Sequence, residues 1–138
     1  MATLRFAFHP PSLTGGPVLV QYVDDVALTD LIDRFELAEG MSPAGEAYGG
    51  LPRHCYSGTK TGHFHGLAEE EGKTLLLACS CGSEGCWPLL ARITVTEDAV
   101  VWDSFGQPRR PERDYRRFGP FRFARAQYDA AVRELDSA

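Results

Sequence analysis

Three closely spaced cysteines form the most chemically distinctive motif of this chain. Cys79, Cys81 and Cys86 have the spacing C-x-C-x4-C within the stretch CSCGSEGCWP. Glycines at 82 and 85 permit the left-handed backbone angles that would fold three sulfurs toward one point. Thiolates hold Zn²⁺ in a tetrahedron, so three local sulfurs leave one corner for a ligand from elsewhere. The motif therefore predicts a structural zinc site.

The fourth zinc ligand would come from the glycine-rich segment 40–72. Cys55 is the first candidate, and the alternatives are the histidines of the same segment, His54, His63 and His65. A zinc ion bound in this way would fasten a long irregular segment onto the strand that begins at Lys73. This role would explain why such a long loop is ordered.

Other interpretations of the cysteines stay open at this stage. They would also fit as small buried side chains in a tight turn. A reversible disulfide between Cys81 and Cys86 would make the loop a redox group, although no lysine or histidine nearby in sequence would lower a thiol pKa. A permanent disulfide is a further alternative.

Two histidines form a second candidate metal motif. His63 and His65, followed by Glu69, are similar to the H-x-H…E half-motif of cupins. The second cupin half, with its own histidine, is missing. The histidines are therefore predicted to be an exposed loop pair rather than a catalytic metal centre.

Arginines and aromatic residues alternate near the C-terminus. Residues 107–125 carry a net charge of +5, whereas residues 1–106 carry −8. The cluster predicts an anion site at Arg109, Arg110, Arg116 and Arg117. The alternative is that the rings pack on the core beneath the arginine stems, as expected for Tyr115, Phe118, Phe121 and Phe123. The overall charge of −5 argues against general binding of nucleic acid.

Periodicity indicates the elements that would position these motifs. Strands are predicted at 3–9, 17–23, 73–79, 90–95, 99–103 and 121–123. Helices are predicted from about Thr29 to just before Gly40, and over 125–135 with Tyr128, Val132 and Leu135 on the core face. The pattern favours a single α+β domain over 1–138, with a mostly antiparallel sheet of about five to six strands and two helices.

Two acidic pairs mark turns between these elements. Asp24-Asp25 follows the second strand, and Glu97-Asp98 separates the strands 90–95 and 99–103. Aspartates favour turns because their short side chains bond to nearby backbone groups. The second pair therefore predicts an antiparallel hairpin.

Composition restricts the class of protein. Hydrophobic residues make up 43% and charged residues 24%, which is typical of a globular domain. The longest apolar run, from Leu75 to Cys79, is too short for a membrane span, and the N-terminus does not resemble an export signal. Four cysteines without such a signal predict a reducing, cytoplasmic location.

Two stretches of the chain resemble sequences of known proteins. The cysteine spacing at 79–86 is similar to the zinc-binding post-SET tail of histone methyltransferases, which implies only that it can wrap a zinc ion. Over about 75–135 the chain resembles a set of small uncharacterised bacterial proteins. The resemblance rests on CSCGSEGCWPLLARITV, Val101-Trp102, Phe105-Gly-Gln-Pro108, Phe118-Gly-Pro-Phe121 and Gln127-Tyr128. It implies that the cysteine loop is a family feature and implies no reaction.

These observations favour a non-enzymatic binding or interaction module with the cysteine loop as a structural clamp. One alternative is a thiol-dependent oxidoreductase or redox sensor that uses Cys79, Cys81 and Cys86. Another is an anion or nucleic-acid binder that uses the arginines between 109 and 122. A sheet edge or the aromatic C-terminal region would support a homodimer.

Overall fold

The computed structural model describes residues 1–10, 17–45, 48–55, 59–66, 72–79 and 87–137. Within these ranges the chain forms eight β-strands in two antiparallel sheets and three α-helices. The predicted α+β class with a mostly antiparallel sheet is confirmed. No helix in the described ranges combines the length and apolar character that a membrane crossing would require.

The strands fall into two groups along the chain. The first sheet has the order β1 Leu4–His9, β2 Val18–Val23 and β3 Val26–Ala27. The second has the order β4 Tyr48–Gly49, β5 Thr74–Cys79, β6 Leu89–Val95, β7 Ala99–Gly106 and β8 Phe121–Ala124. The helices are α1 Leu28–Ala38, α2 Lys60–Phe64 and α3 Arg125–Ser137, and a 3₁₀ turn spans Arg53–Cys55.

Two backbone bridges join the sheets to each other. The Ala2 N–H donates to the Arg122 carbonyl at 2.8 Å, which links the chain before β1 to β8. Leu19 and Leu51 exchange two hydrogen bonds of 3.0 and 2.7 Å, which link β2 to the chain after β4. A Cβ atom at Gly50 would lie 2.5 Å from the Leu19 carbonyl, so this approach requires glycine. The hydrogen bonds therefore run in a closed circuit through seven strands, all except β3.

The core lies between this circuit and the two longer helices. Trp102 of β7 is fully buried, and its ring meets Phe123 of β8 edge-on at 5.0 Å. Helix α3 packs its predicted core face, Tyr128, Val132 and Leu135, into the same region. Large aromatic side chains bury the most apolar area per residue, so this cluster dominates the packing.

The turn at Asp24-Asp25 is confirmed, and it closes a hairpin that the sequence did not predict. Both aspartates adopt left-handed angles, with φ of 50° and 64°. Val23 and Val26 then pair across the turn, and β3 precedes helix α1. Two consecutive left-handed residues match the right-handed twist of the flanking strands.

Segment 40–72, predicted to be irregular, contains regular elements in its described parts. Strand β4, the 3₁₀ turn and helix α2 lie within it. Each has between two and five residues. Elements this short show no periodicity that a sequence pattern could reveal.

Candidate ligand-binding cleft

Helix α1 places a carboxylate in the protein interior. Leu28 and Ile32 form its buried stripe, and Glu36 occupies the next position at the same spacing of four. Its side chain has no exposed surface. A buried carboxylate is costly unless hydrogen bonds and an opposite charge compensate it. The neighbours of Glu36 are therefore part of the same unit.

Two tyrosines and one arginine converge on a single oxygen of Glu36. The hydroxyls of Tyr48 and Tyr115 donate to Oε2 at 2.7 and 2.5 Å. Nη1 of Arg113 lies 3.4 Å from the same oxygen, and the arginine side chain is 6% exposed. Arg113 Nη2 also donates to the Pro43 carbonyl at 2.6 Å, which fixes the guanidinium in place. Arg113 supplies the compensating charge.

The surroundings keep both phenols protonated. Burial, together with the hydrogen bond to Glu36, raises the pKa of Tyr48 far above its ordinary value. Burial and Glu36 also raise the pKa of Tyr115. Both hydroxyls therefore act as hydrogen-bond donors to Glu36 across the physiological pH range.

Tyr48 in turn orients the amide of Gln107. The single hydrogen of the Tyr48 hydroxyl goes to Glu36, so its oxygen accepts, and Gln107 Nε2 donates to it at 3.3 Å. Gln107 is 3% exposed. Its Oε1 has no hydrogen-bond partner within the described part of the chain. The amide oxygen is therefore buried without a donor in the described part of the chain.

Trp87 packs over this polar cluster. Its indole meets the Tyr48 ring edge-on at 6.1 Å. The guanidinium of Arg110 lies 3.4 Å from the indole ring centre, and that of Arg113 lies 5.3 Å away. Cation–π attraction of this kind strengthens when the ring is withdrawn from water. Trp87 thus holds two arginines beside the cluster.

A cleft of about 280 Å³ opens beside Gln107 and Arg113. Lys73 supplies a second cationic side chain to its lining. The remaining walls are formed by the Gly106 backbone and by the apolar residues Leu90, Phe105, Pro108 and Pro111. Among the described lining residues there are two cations and no acid. Because Glu36 balances the charge of Arg113, Lys73 supplies the net positive charge of this lining, which favours an anion.

Gly106 gives the lysine room in the cleft. A Cβ atom at this position would lie 3.2 Å from Lys73 Nζ. Such a contact is tighter than an ordinary van der Waals approach, so the ammonium would have to move. The Lys73 ammonium therefore lies close to the Gly106 backbone in the cleft.

The structure places two of the four predicted zinc-binding cysteines. Cys79 ends β5, opposite Tyr48 in the strand register, and is half-buried. Cys55 ends the 3₁₀ turn and is buried. Cys81 and Cys86 lie outside the described residues. The described ranges contain no group of three or more His, Cys, Asp or Glu side chains suited to a metal. The zinc site therefore stays a prediction.

The prediction of an exposed histidine loop is wrong. His63 and His65 lie on or directly after helix α2, which starts where the Thr59 side chain accepts from the Gly62 N–H at 2.9 Å. His63 is buried, and its Nε2 donates to the Leu75 carbonyl at 2.7 Å. The capped turn directs this ring inward, which the spacing alone did not show.

Both ring nitrogens of His65 make hydrogen bonds. Its Nδ1 donates to the Thr61 carbonyl, and its Nε2 lies 2.7 Å from Asp129 Oδ1. Burial by itself raises the pKa of Asp129. Hydrogen bonds with His65 and Arg125 lower the pKa by a larger amount, so it lies below its ordinary value. The alternative fourth zinc ligands His63 and His65 thus each contact protein atoms.

The four arginines predicted to form an anion site have different surroundings. Arg110 stacks on Trp87, and Arg109 is exposed. Arg116 pairs with Asp114 at 2.8 Å, and Arg117 pairs with Glu39. Two of the four positive charges are thus already matched by acids. The cationic groups that line the cleft are Lys73 and Arg113 instead.

The aromatic residues of the same stretch pack as the alternative interpretation predicts. Tyr115, Phe118 and Phe123 are buried, and Phe121 is partly buried. The Phe118 ring meets that of Phe105 edge-on at 4.8 Å. These rings fix the loop between β7 and β8, and this loop carries Arg113 to Glu36.

Sequence reasoning missed Glu36, Tyr48, Lys73 and Gln107. A signal existed for Glu36, because an acid that continues the stripe of Leu28 and Ile32 is out of place on an apolar helix face. The other three lie at strand ends or in loops, where no period marks a functional side chain.

Comparison with known proteins assigns no function to this arrangement: no protein-family model, no curated protein and no solved structure matches the chain. The chemistry of the cleft is therefore the basis for the functional proposal.

Proposed function

We propose that this protein is a non-enzymatic binding module that holds a small anionic ligand in the cleft between Lys73 and Arg113. The observation that carries the proposal is the lining of the cleft. It combines two cationic side chains with an amide and apolar walls, and no described lining residue is acidic. The proposal joins the binding-module and anion-binding hypotheses, with different cationic residues at the site.

Lys73 is the cation available to a ligand. The charge of Arg113 is already matched by Glu36 at 3.4 Å. Within the described part of the chain, no acidic side chain forms an ion pair with Lys73. An anion in the cleft would supply that partner. Because the site is recessed, its attraction would be screened less by salt than an exposed pair.

The chemistry of the lining supports recognition. Ammonium, guanidinium and amide groups fix the position of a bound molecule through charge and directed hydrogen bonds. Arg113 is held by Pro43 and Glu36, and Gln107 is held by Tyr48. Groups fixed before binding lose little conformational entropy when the ligand arrives.

The experiment is a titration with two simple anions. Acetate and inorganic phosphate are added to the isotope-labelled protein at low salt, and amide shifts near Gly106 and Gln107 are followed by NMR. We expect saturable shifts there, and a loss of affinity of about tenfold in Lys73→Gln. The control is Arg122→Gln, which removes one exposed cation that is not part of the cleft lining.

Two results would overturn the proposal. One is the absence of saturable shifts at the cleft with either anion. The other is an equal loss of affinity in Lys73→Gln and Arg122→Gln, because that pattern means a general charge effect rather than a site.

The cysteine loop has a companion role in this proposal. The residues at both ends of the loop lie next to Tyr48. Cys79 pairs opposite Tyr48 in the sheet, and Trp87 packs on the Tyr48 ring. A zinc ion held by Cys79, Cys81, Cys86 and Cys55, or with His63 or His65 as the fourth ligand, would fasten the loop beside the cleft. The chemistry would be a structural crosslink.

Elemental analysis of protein purified without added zinc tests this role. We expect about one zinc per chain, lost in Cys81→Ser. Protein without zinc, with a thiol that titrates well below about 8.5, would instead favour the thiol-dependent redox alternative.

A further inference from the structure

The wall of the cleft between Gln107 and Arg113 is built from two consecutive turns. The Arg110 N–H donates to the Gln107 carbonyl at 2.9 Å, and the Arg113 N–H donates to the Arg110 carbonyl at 3.1 Å. Each turn has a proline at its second position, Pro108 in the first and Pro111 in the second. Proline favours this position because its ring fixes the backbone angle that the turn requires. Both prolines line the cleft.

Arg110 is the residue that the two turns share. Its N–H closes the first turn, and its carbonyl closes the second. A displacement of Arg110 would therefore disturb both turns and the two prolines that they hold. Arg110 itself is not one of the described residues that line the cleft. Its influence on the cleft is therefore exerted through the wall.

The side chain of Arg110 is held by a residue outside the wall. Its guanidinium lies over the Trp87 ring, with Cζ 3.4 Å from the ring centre. Trp87 is buried, and a cation over a ring withdrawn from water is attracted more strongly than one at an exposed site. A guanidinium is also planar, so it can lie flat on the indole, as an ammonium group cannot. The stack therefore fixes the residue at which the two turns meet.

We infer that Arg110 is a positioning residue for the ligand, because its stack on Trp87 holds the cleft wall in the shape that binds an anion. This inference rests on the proposed function and concerns the same cleft. The end of the wall is fixed separately, since Arg113 contacts Glu36 and the Pro43 carbonyl. The stack fixes the middle of the wall. A wall that is held before binding loses little conformational entropy when the ligand arrives.

Two arginine variants separate the stack from the charge. Arg110→Ala removes both, and Arg110→Lys keeps the charge without the planar group. We expect Arg110→Ala to lower acetate affinity about fivefold, and Arg110→Lys to recover little of that loss. The affinity is measured by NMR titration at the Gly106 amide, at constant salt. The control is Arg109→Ala, which removes the neighbouring exposed arginine of the first turn and should lower affinity less than about twofold.

Hydrogen exchange tests the wall without any ligand. The Arg113 amide closes the second turn, so its exchange reports whether that turn is formed. We expect this amide to exchange about fivefold faster in Arg110→Ala than in the natural protein. Its exchange should stay unchanged in Arg109→Ala, because the Arg109 backbone closes neither turn.

Two tryptophan variants form a matched pair on the other side of the stack. Trp87→Phe and Trp87→Leu both replace the indole by a smaller apolar side chain, and only phenylalanine keeps a ring face that attracts a cation. A purely structural role of Trp87 would make both variants lose affinity alike. We expect Trp87→Phe to bind acetate more tightly than Trp87→Leu, and the two to bind equally in an Arg110→Ala background.

Three results would overturn the inference and leave the anion site standing. They are the affinity of the natural protein in Arg110→Lys, equal losses in Arg110→Ala and Arg109→Ala, and unchanged Arg113 exchange in Arg110→Ala. If neither acetate nor phosphate binds to the natural protein, the proposed function itself is wrong, whatever the exchange measurement shows.

Discussion

Two buried tyrosine networks in this protein differ in how completely they are satisfied. In the first network, next to helix α3, Tyr128 donates to the Phe64 carbonyl at 2.5 Å and accepts from Trp102 Nε1 at 3.1 Å. The donor and an acceptor site of its hydroxyl are both used. Burial accordingly raises the pKa of Tyr128 far above its ordinary value, and the phenol stays neutral.

The network around Tyr48 also uses its hydroxyl twice, but the groups beside it are not all satisfied. Within the described ranges, four buried atoms there have no hydrogen-bond partner: Glu36 Oε1, Gln107 Oε1, Arg113 Nη1 and Trp87 Nε1. The cleft opens next to two of these residues, Gln107 and Arg113. The incomplete network is therefore the one that borders space for a ligand.

Under the proposed function, the contrast separates polar groups that stabilise the fold from polar groups that border the binding cleft. A buried group with its partners in the chain contributes to stability and offers nothing to a ligand. A buried group without such partners lowers stability, because it loses its hydration and gains no hydrogen bond in return. Both networks are built from tyrosines, so residue type alone does not separate them.

Breaking the charge balance of the Tyr48 network should have the largest effect. Arg113→Met leaves the buried Glu36 carboxylate without its opposite charge, and we expect unfolding free energy to fall by about 3–5 kcal/mol. The control is Arg116→Met, whose ion pair with Asp114 is exposed to solvent, so its loss should change the unfolding free energy far less. Urea denaturation measures both, and similar losses would mean that Arg113 does not balance Glu36.

Breaking the satisfied network should cost less. Tyr128→Phe leaves Trp102 Nε1 and the Phe64 carbonyl without their partner, and we expect a loss of about 1–3 kcal/mol. Tyr22→Phe is the control, because its hydroxyl bonds to His9 at 2.8 Å near the surface, where water replaces it. Ligand affinity should not change in either variant. A loss of affinity in Tyr128→Phe would mean that the Tyr128 network also contributes to binding.

A side chain added inside the cleft should lower anion affinity without changing the stability of the fold. Gly106→Ala places a methyl group 3.2 Å from Lys73 Nζ, and we expect anion affinity to fall about threefold, or roughly 0.7 kcal/mol. Unfolding by urea should stay unchanged. In a Lys73→Gln background the same substitution should cost no further affinity. An equal loss in both backgrounds would mean that Gly106 does not act through Lys73.

The smallest effect concerns an exposed ion pair near Arg113. Hydrogen bonds from Arg116 lower the pKa of Asp114 from 3.8 to about 2. A carboxyl with a depressed pKa stabilises the fold above its unfolded pKa and loses that contribution as pH falls from about 4 to 2. In Arg116→Gln, NMR titration should return the Asp114 pKa toward 3.8. An unchanged value would exclude Arg116 as the cause.

The sequence predicted the long elements of the fold because their side-chain periods are strong. The core face of α3 follows from the spacing of Tyr128, Val132 and Leu135, and each of these is buried. The β6–β7 hairpin follows from two apolar runs around Glu97-Asp98. Strand β3 and helix α2 were missed, and short strands within 40–72 were expected without positions, because two to five residues cannot display a period.

The candidate site was much less predictable. The sequence drew attention to the cysteines and to Arg109, Arg110, Arg116 and Arg117, whose types and spacing suggest chemistry. The cleft instead joins Lys73, directly before β5, with Gln107 and Arg113, from the loop after β7. Residues separated by more than thirty positions share no local pattern that reveals their proximity.

By itself, the sequence determined the α+β class, the long strands and helices and their buried faces, because these depend on local propensity and on the period of apolar residues. Only the tertiary structure decided which polar groups are left unsatisfied beside a cleft. That depends on which distant side chains meet Glu36 and Tyr48 in the interior, and on the fixed number of hydrogens each can give.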